Sequence, residues 1–306
     1  MALFFVLLAS ICASFGNYTL RKNLDNGGSS TAYLVIYFSF SLLVASVINP
    51  VFSQLTHFHT PMFSLGVFVG LLMALMMLFT TISLSKGPSS LTFAFQNSSA
   101  VVPTLMLAAI FGSVYGFNAT PSLIIGAICV IAGLFWAAVK QKGSESTKPS
   151  WYFFACMMFL VQAFTLTLFQ WKCLLTQNVA EHSLIPFSCS LEDEIWFMPG
   201  LFISATLLQT MYFVCQEKRM LKFKEIQWGL IGGIANGIST YLLLQANMLA
   251  TSMEKGVIFP LFAVSVILIC NAWGQWLYRE KVYWPANILC STGILISAVD
   301  IFLTAI

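Results

Sequence analysis

Long apolar runs alternate with short polar joints along this whole chain. Ten runs stand out, at about 2–20, 32–52, 62–84, 89–113, 120–139, 150–171, 195–215, 226–248, 256–277 and 282–303. Each is close to the length of about 20 residues that an α-helix needs to cross the hydrocarbon of a bilayer. None shows the period-two alternation of a membrane β-strand. Lipid offers the backbone no hydrogen-bond partner, so a spanning segment must satisfy its own amides and carbonyls, and runs of this kind do so as helices. The pattern predicts an all-α membrane protein with ten transmembrane helices.

Composition agrees with the pattern. Hydrophobic residues make up 58% of the 306 positions and charged residues 8%, whereas a soluble domain carries about a quarter charged residues. The charges also carry a direction. Of 14 Lys and Arg and 11 Asp and Glu, all but Asp300 fall at the joints. Counted on alternate sides, 12 basic residues (Arg21, Lys22, Lys86, Lys140, Lys142, Lys148, Lys218, Arg219, Lys222, Lys224, Arg279 and Lys281) share one face, and 2 (Lys172 and Lys255) the other. Basic residues in short loops stay in the cytoplasm. The expected arrangement is therefore a multi-pass protein of a plasma or inner membrane with both termini outside. The apolar N-terminus lacks the basic n-region of a cleaved signal peptide and reads as a retained first span. No polybasic arm is present, so nucleic acid is not an expected partner.

The runs divide into two sets of five with matching punctuation. Gly66 and Gly70 in the third run correspond to Gly229 and Gly233 in the eighth, at the spacing that lets helix backbones approach. Pro103 in the fourth corresponds to Pro260 in the ninth, each able to kink its helix. An odd number of spans per set reverses the second relative to the first, the inverted repeat common in secondary transporters. The expected organisation is a first five-helix repeat at 1–139, a linker at 140–149 (KQKGSESTKP) and a second repeat at 150–306.

The segments SLSKGPSSLTFAFQNSSAVVPTLMLAAIFG (83–112) and NMLATSMEKGVIFPLFAVSVILICNAWGQWLYREKVYWPANILCSTGILI (247–296) resemble the drug/metabolite transporter superfamily, EamA-like branch. Pro103, Pro260 and Glu280 match its pattern of a proline within spans four and nine and an acid before the last span; Phe117-Asn118 stands where the first-half acid would be. The resemblance implies a cavity between the halves, lined mainly by spans one, three, four, six, eight and nine. It also implies cytoplasmic termini, against the charge count.

Polar residues inside spans are costly unless they meet a partner or a wet cavity. Helical spacing groups them into stripes: Ser10, Ser14 and Asn17; Gln96 and Ser99 with Asn97 alongside; Gln162 and Thr165; Asn236, Thr240 and Asn247; Asn271 and Gln275. Interhelical bonding accounts for any one of these as well as a cavity does. Amides and hydroxyls in five spans together point to a cavity for a neutral or zwitterionic solute such as a sugar, nucleoside or amino acid, with Tyr241 and Phe259 available for stacking. Ser14, Asn17, Gln96, Asn97, Gln162, Asn236, Thr240, Tyr241, Asn247, Phe259 and Asn271 are the expected binding residues. Asp300 reads as an interfacial acid rather than a proton carrier. Cys173 and Cys189 flank the longest outer loop and could form a disulfide. His57-x-His59 is too sparse for a metal site, and no phosphate-binding loop or intramembrane acid cluster suggests a cofactor or an enzyme. The expected function is a secondary transporter working by alternating access, with the bilayer, a small solute and a coupling ion or counter-substrate as partners. The alternatives are efflux of amphipathic compounds, for which Met73, Met76 and Met77 are suited, and a non-transporting scaffold or lipid-handling protein.

Overall fold

The computed structural model describes residues 2–48, 58–111, 120–141, 148–175, 189–190, 192–250 and 252–299, and these are helical apart from short joints. The first half of the chain contributes α1 (Ala2–Asp25), α2 (Ser30–Ile48), α3 (Thr60–Leu84), α4 (Ser89–Ser98), α5 (Val102–Phe111) and α6 (Pro121–Gln141). The second contributes α7 (Ser150–Leu175), α8 (Phe197–Glu217), α9 (Phe223–Leu249), α10 (Ser252–Tyr278) and α11 (Trp284–Ile296). Among the described residues, seven segments are long and apolar enough to cross a membrane: α1, α2, α3, the α4–α5 stretch Ser89–Ile110, α7, Glu192–Glu217 and Ile258–Tyr278. Shorter apolar stretches occupy α6 and α11. The 27-residue α9 is not among the seven. Its Asn236, Ser239, Thr240 and Asn247 are buried against other helices, so its modest hydropathy reflects an interior stripe and not a watery face.

The outward faces are apolar. On α1, Phe4, Leu7, Ile11 and Phe15 are exposed while Ser10 and Ser14 are buried. On α6, Ile124, Ile128, Ile131 and Phe135 form a similar exposed stripe. This reverses the polarity of a helix that faces water, and such continuous apolar surface is what lipid covers. The protein is a multi-pass membrane protein.

Close packing follows the glycines. α1 packs on α9 and α10, α2 on α8 and α9, α3 on α7 and α8, α4 on α7 and α10, and α6 on α11. A Cβ on Gly66 or Gly70 would overlap the carbonyl oxygens of Phe197 and Leu201 on α8. One on Gly233 would overlap that of Tyr37 on α2, and one on Gly229 would come within 3.0 Å of that of Tyr33. Hydroxyls reinforce both contacts: Ser204 Oγ donates to Val67 O at 2.9 Å, and Ser41 Oγ to Gly233 O at 2.9 Å. In lipid such bonds contribute about 1 kcal/mol each, and the rest of the contact is van der Waals packing.

The two prolines act differently. A 3-10 turn at Ser99–Val101 separates α4 from α5, immediately before Pro103, so the fourth run is broken. Pro260 lies inside α10 without interrupting it. In the fourth run Ser99 Oγ takes Gln96 O at 2.6 Å, which offers the backbone an alternative to the i→i−4 ladder.

Charged residues hold the ends. At the basic end Glu280 caps α4, accepting from Ser89 N at 2.9 Å and Ser90 N at 2.8 Å, where a carboxylate also meets the positive end of the helix dipole. Arg219 pairs with Glu217 and Glu225 at 2.6 Å each, and Ser29 N donates to Glu225 at 2.8 Å, tying the α1–α2 joint to the α8–α9 joint. Arg21 donates to Leu84 O at 3.1 Å and lies 5.4 Å from the Tyr278 ring. At the opposite end Lys172 is fully buried, paired with Glu194, and 4.9 Å from the Phe197 ring. Cys189 is buried there, 2% exposed. Burial and the Asp193 charge, opposed by Lys172, push that thiol up to about 11. His59 caps α3, accepting from Met62 N at 3.3 Å. His57, Phe117, Asn118, Asp300 and the interior of the 173–194 loop fall outside the described residues.

Candidate functional site: a polar cavity between the halves

Helices from both halves converge on a cavity of about 110 Å³. α1 supplies Asn17, α2 Tyr37, α4 Gln96 and Asn97, α7 Gln162 and Thr165, and α9 Asn236, Ser239 and Thr240. The remaining wall is soft and apolar: Met73, Met76 and Met77 of α3, Phe169 of α7 and Phe262 of α10. No charged side chain is among its described lining residues. The volume is below the roughly 300–1,000 Å³ of most ligand pockets. It has room for several waters, and a sugar-sized solute would require the helices to part.

Six of the expected residues, Asn17, Gln96, Asn97, Gln162, Asn236 and Thr240, meet here. The other five do not line it. Ser14 lies one turn from Asn17 and is buried, its Oγ without a partner. Asn247 is buried with its Nδ2 donating to Leu243 O at 2.9 Å on its own helix. Tyr241 is half-buried against the core, Phe259 is buried within it, and Asn271 is fully buried with neither amide atom bonded. Ser14 and Tyr241 lie at cavity depth, between the lining pairs Ala13 and Asn17 and Thr240 and Leu243, but on another face; for Asn247 and Asn271 the reason is depth. A stripe fixes which face of a helix a residue occupies but not how far along the axis the cavity reaches. Asn247 lies seven residues beyond Thr240, or about 10 Å at the helical rise.

Tyr37 is not among the expected residues, although Tyr33, Tyr37 and Ser41 recur every four residues on one face of α2 and could have marked it. Ser239, one residue off the Asn236–Thr240 stripe, donates to Ala9 O at 2.8 Å and so serves both the cavity wall and the α1–α9 contact.

No protein-family model and no curated protein matches the chain. Fourteen chains among solved structures match it in fold. One, a crystal structure of a protein 15% identical to this one, superposes with a TM-score of 0.58 over 97% of this chain and 94% of its own. At that identity the likeness is one of fold, and it extends over nearly the full length of both chains.

Proposed function

We propose that this protein is a ten-span secondary transporter that moves a small polar, uncharged or weakly charged metabolite by alternating access. The observation that carries this reading is the uncharged polar cavity, built from helices of both halves and enclosed among segments apolar enough to span a bilayer. Polar side chains at that depth are costly unless they meet a partner or a wet cavity, and five helices bring theirs to one cavity.

The inverted-repeat reading has support in the packing. Matching each helix of the first half with its counterpart in the second pairs α1 with α7, α2 with α8, α3 with α9, α4–α5 with α10 and α6 with α11. Exchanging them turns the α1–α9 contact into α7–α3, α3–α8 into α9–α2, and α1–α10 into α7–α4, while α2–α8, α4–α10 and α6–α11 map onto themselves. The close glycine contacts of α3 on α8 and α9 on α2 exchange as well. Two halves that can rock about a central site are what alternating access requires. The 12-to-2 basic bias supports a cytoplasmic basic end and outward termini. An N-terminal tag labelled on intact cells checks this, and labelling only after permeabilisation would reverse the orientation.

The function is tested by thermal-shift measurements of the purified protein against a metabolite library, followed by counterflow in proteoliposomes. Stabilisation by one solute class, with counterflow of the same class, supports the transporter. A flat screen with no counterflow removes it. The methionine wall favours a second reading, export of amphipathic compounds, because thioethers adapt to varied apolar shapes. Stabilisation by lipophilic ligands alone would select it.

A further inference from the structure

Hydrogen bonds orient three of the amides around the cavity. Asn97 Nδ2 donates to Phe93 O at 2.8 Å, Asn236 Nδ2 to Ser41 Oγ at 3.0 Å, and Gln96 Nε2 to Met76 Sδ at 3.0 Å. A main-chain carbonyl and a thioether only accept, and the Ser41 proton is directed to Tyr37 O and Gly233 O, each at 2.9 Å. All three amides must therefore turn an N–H towards the protein. Two hydroxyl donors are also committed, Thr165 to Val161 O at 2.8 Å and Ser239 to Ala9 O at 2.8 Å.

Two amide oxygens lack a donor altogether. Gln96 Oε1 and Gln162 Oε1 are buried without a partner, one from each half of the chain. Gln96 as a whole is 7% exposed. An unpaired buried acceptor is destabilising until a donor reaches it, and no cationic side chain is among the described lining residues to supply one. An anion entering here would lose its hydration and meet no cationic side chain among the described lining residues. A solute bearing N–H or O–H groups would find waiting acceptors, and Phe169, Phe262 and Tyr37 add ring faces that favour a cation.

Resting on the transporter reading, we infer that the solute is a hydrogen-bond donor without negative charge, an organic ammonium or a polyol, received by the amide oxygens of Gln96 and Gln162. This narrows the expected range by excluding carboxylates, zwitterionic amino acids among them, and phosphorylated compounds.

The test uses the full-length purified protein and two matched sets added to the metabolite screen: glucosamine, glucose, glucuronate and glucose 6-phosphate; and ethanolamine, glycerol, glycolate and glycerol 3-phosphate. The expected result is a rise in Tm with an amine or polyol and none with the acids of the same skeleton. The amine and polyol members distinguish the two donor classes. Q96L and Q162L should each weaken binding of the stabilising solute about tenfold, the effect of losing one hydrogen bond, with the unliganded Tm reporting whether each variant is folded. Stabilisation by the acids, or by acids and donors equally, overturns this inference and leaves the transporter standing. No stabilisation by any member or by the library overturns both. Folded Q96L and Q162L variants that bind the solute as the parent does would also overturn the inference.

Discussion

The helices α3 and α9, counterparts on the inverted-repeat reading proposed above, pack by the same device and face the cavity with opposite chemistry. Each lays a pair of glycines, Gly66 and Gly70 or Gly229 and Gly233, against the backbone of a partner helix. Towards the cavity α3 presents Met73, Met76 and Met77, and α9 presents Asn236, Ser239 and Thr240. Between α4 and α10 the contrast is reversed: α4 contributes Gln96 and Asn97, and α10 contributes Phe262 and Val266. On that reading the backbone framework repeats, whereas the lining does not. Packing constrains both halves alike because each must bring two backbones together in lipid. The proposed solute, small and asymmetric, would impose no such symmetry and would leave the lining free to differ.

The largest expected effect distinguishes the ends of α1 and α7. Lys172, at the end of α7, is fully buried with Glu194, while the Arg21–Asp25 pair at the end of α1 is partly exposed. Removing one partner of a buried pair costs about 3–5 kcal/mol, and an exposed pair at i,i+4 contributes only about 0.5 kcal/mol. Lys172→Met should therefore lower the Tm far more than Arg21→Met. Equal losses would mean that Lys172 is hydrated in the membrane.

Next comes the shared glycine device. Gly70→Ala and Gly233→Ala each force a Cβ onto a carbonyl oxygen of the neighbouring helix, and such overpacking costs about 1–3 kcal/mol. Similar Tm losses for the two variants would support equivalent helices, and loss at only one site would break the equivalence. A smaller effect sharpens the contrast between the walls. Asn236→Leu should reduce solute counterflow about tenfold, as the loss of one buried polar contact does, while Met76→Leu should stay within about twofold because the swap conserves volume. Comparable losses would show that the thioether wall binds the solute too.

The smallest effect concerns Cys189. Its thiol, raised to about 11, holds little thiolate at neutral pH. In a variant with Cys189 as its sole cysteine, iodoacetamide alkylation should keep accelerating beyond pH ~9, where an ordinary thiol of pKa about 8.5 levels off. A plateau near that value would show the thiol to be solvated. In the parent protein, alkylation of Cys189 only after reduction would restore the disulfide with Cys173.

Where the sequence and the structure part company, the cause is three-dimensional. The fourth run reads as one apolar helix of matching kind to the ninth, yet only the fourth breaks into a 3-10 turn. Serine hydroxyls beside Pro103 can take over backbone carbonyls, and the apolar residues Val257 to Phe259 before Pro260 cannot. Asn247 and Asn271 sit on well-formed stripes and still miss the cavity, because helical period encodes rotation and not depth. Tyr37 lines it from a strongly apolar run in which the Tyr33–Tyr37–Ser41 stripe is the only polar signal on its face.

The sequence by itself determined that the chain is helical and embedded in lipid, which residues lie at its basic end, and where backbones could approach. Hydrophobic run length, basic-residue count and glycine spacing are local quantities that the bilayer reads directly. Only the tertiary structure decided which stripes meet at one depth and which amide oxygens lack a donor. Both depend on distances between helices far apart in the chain, such as Ser41 to Asn236 and Met76 to Gln96, and no local pattern specifies those.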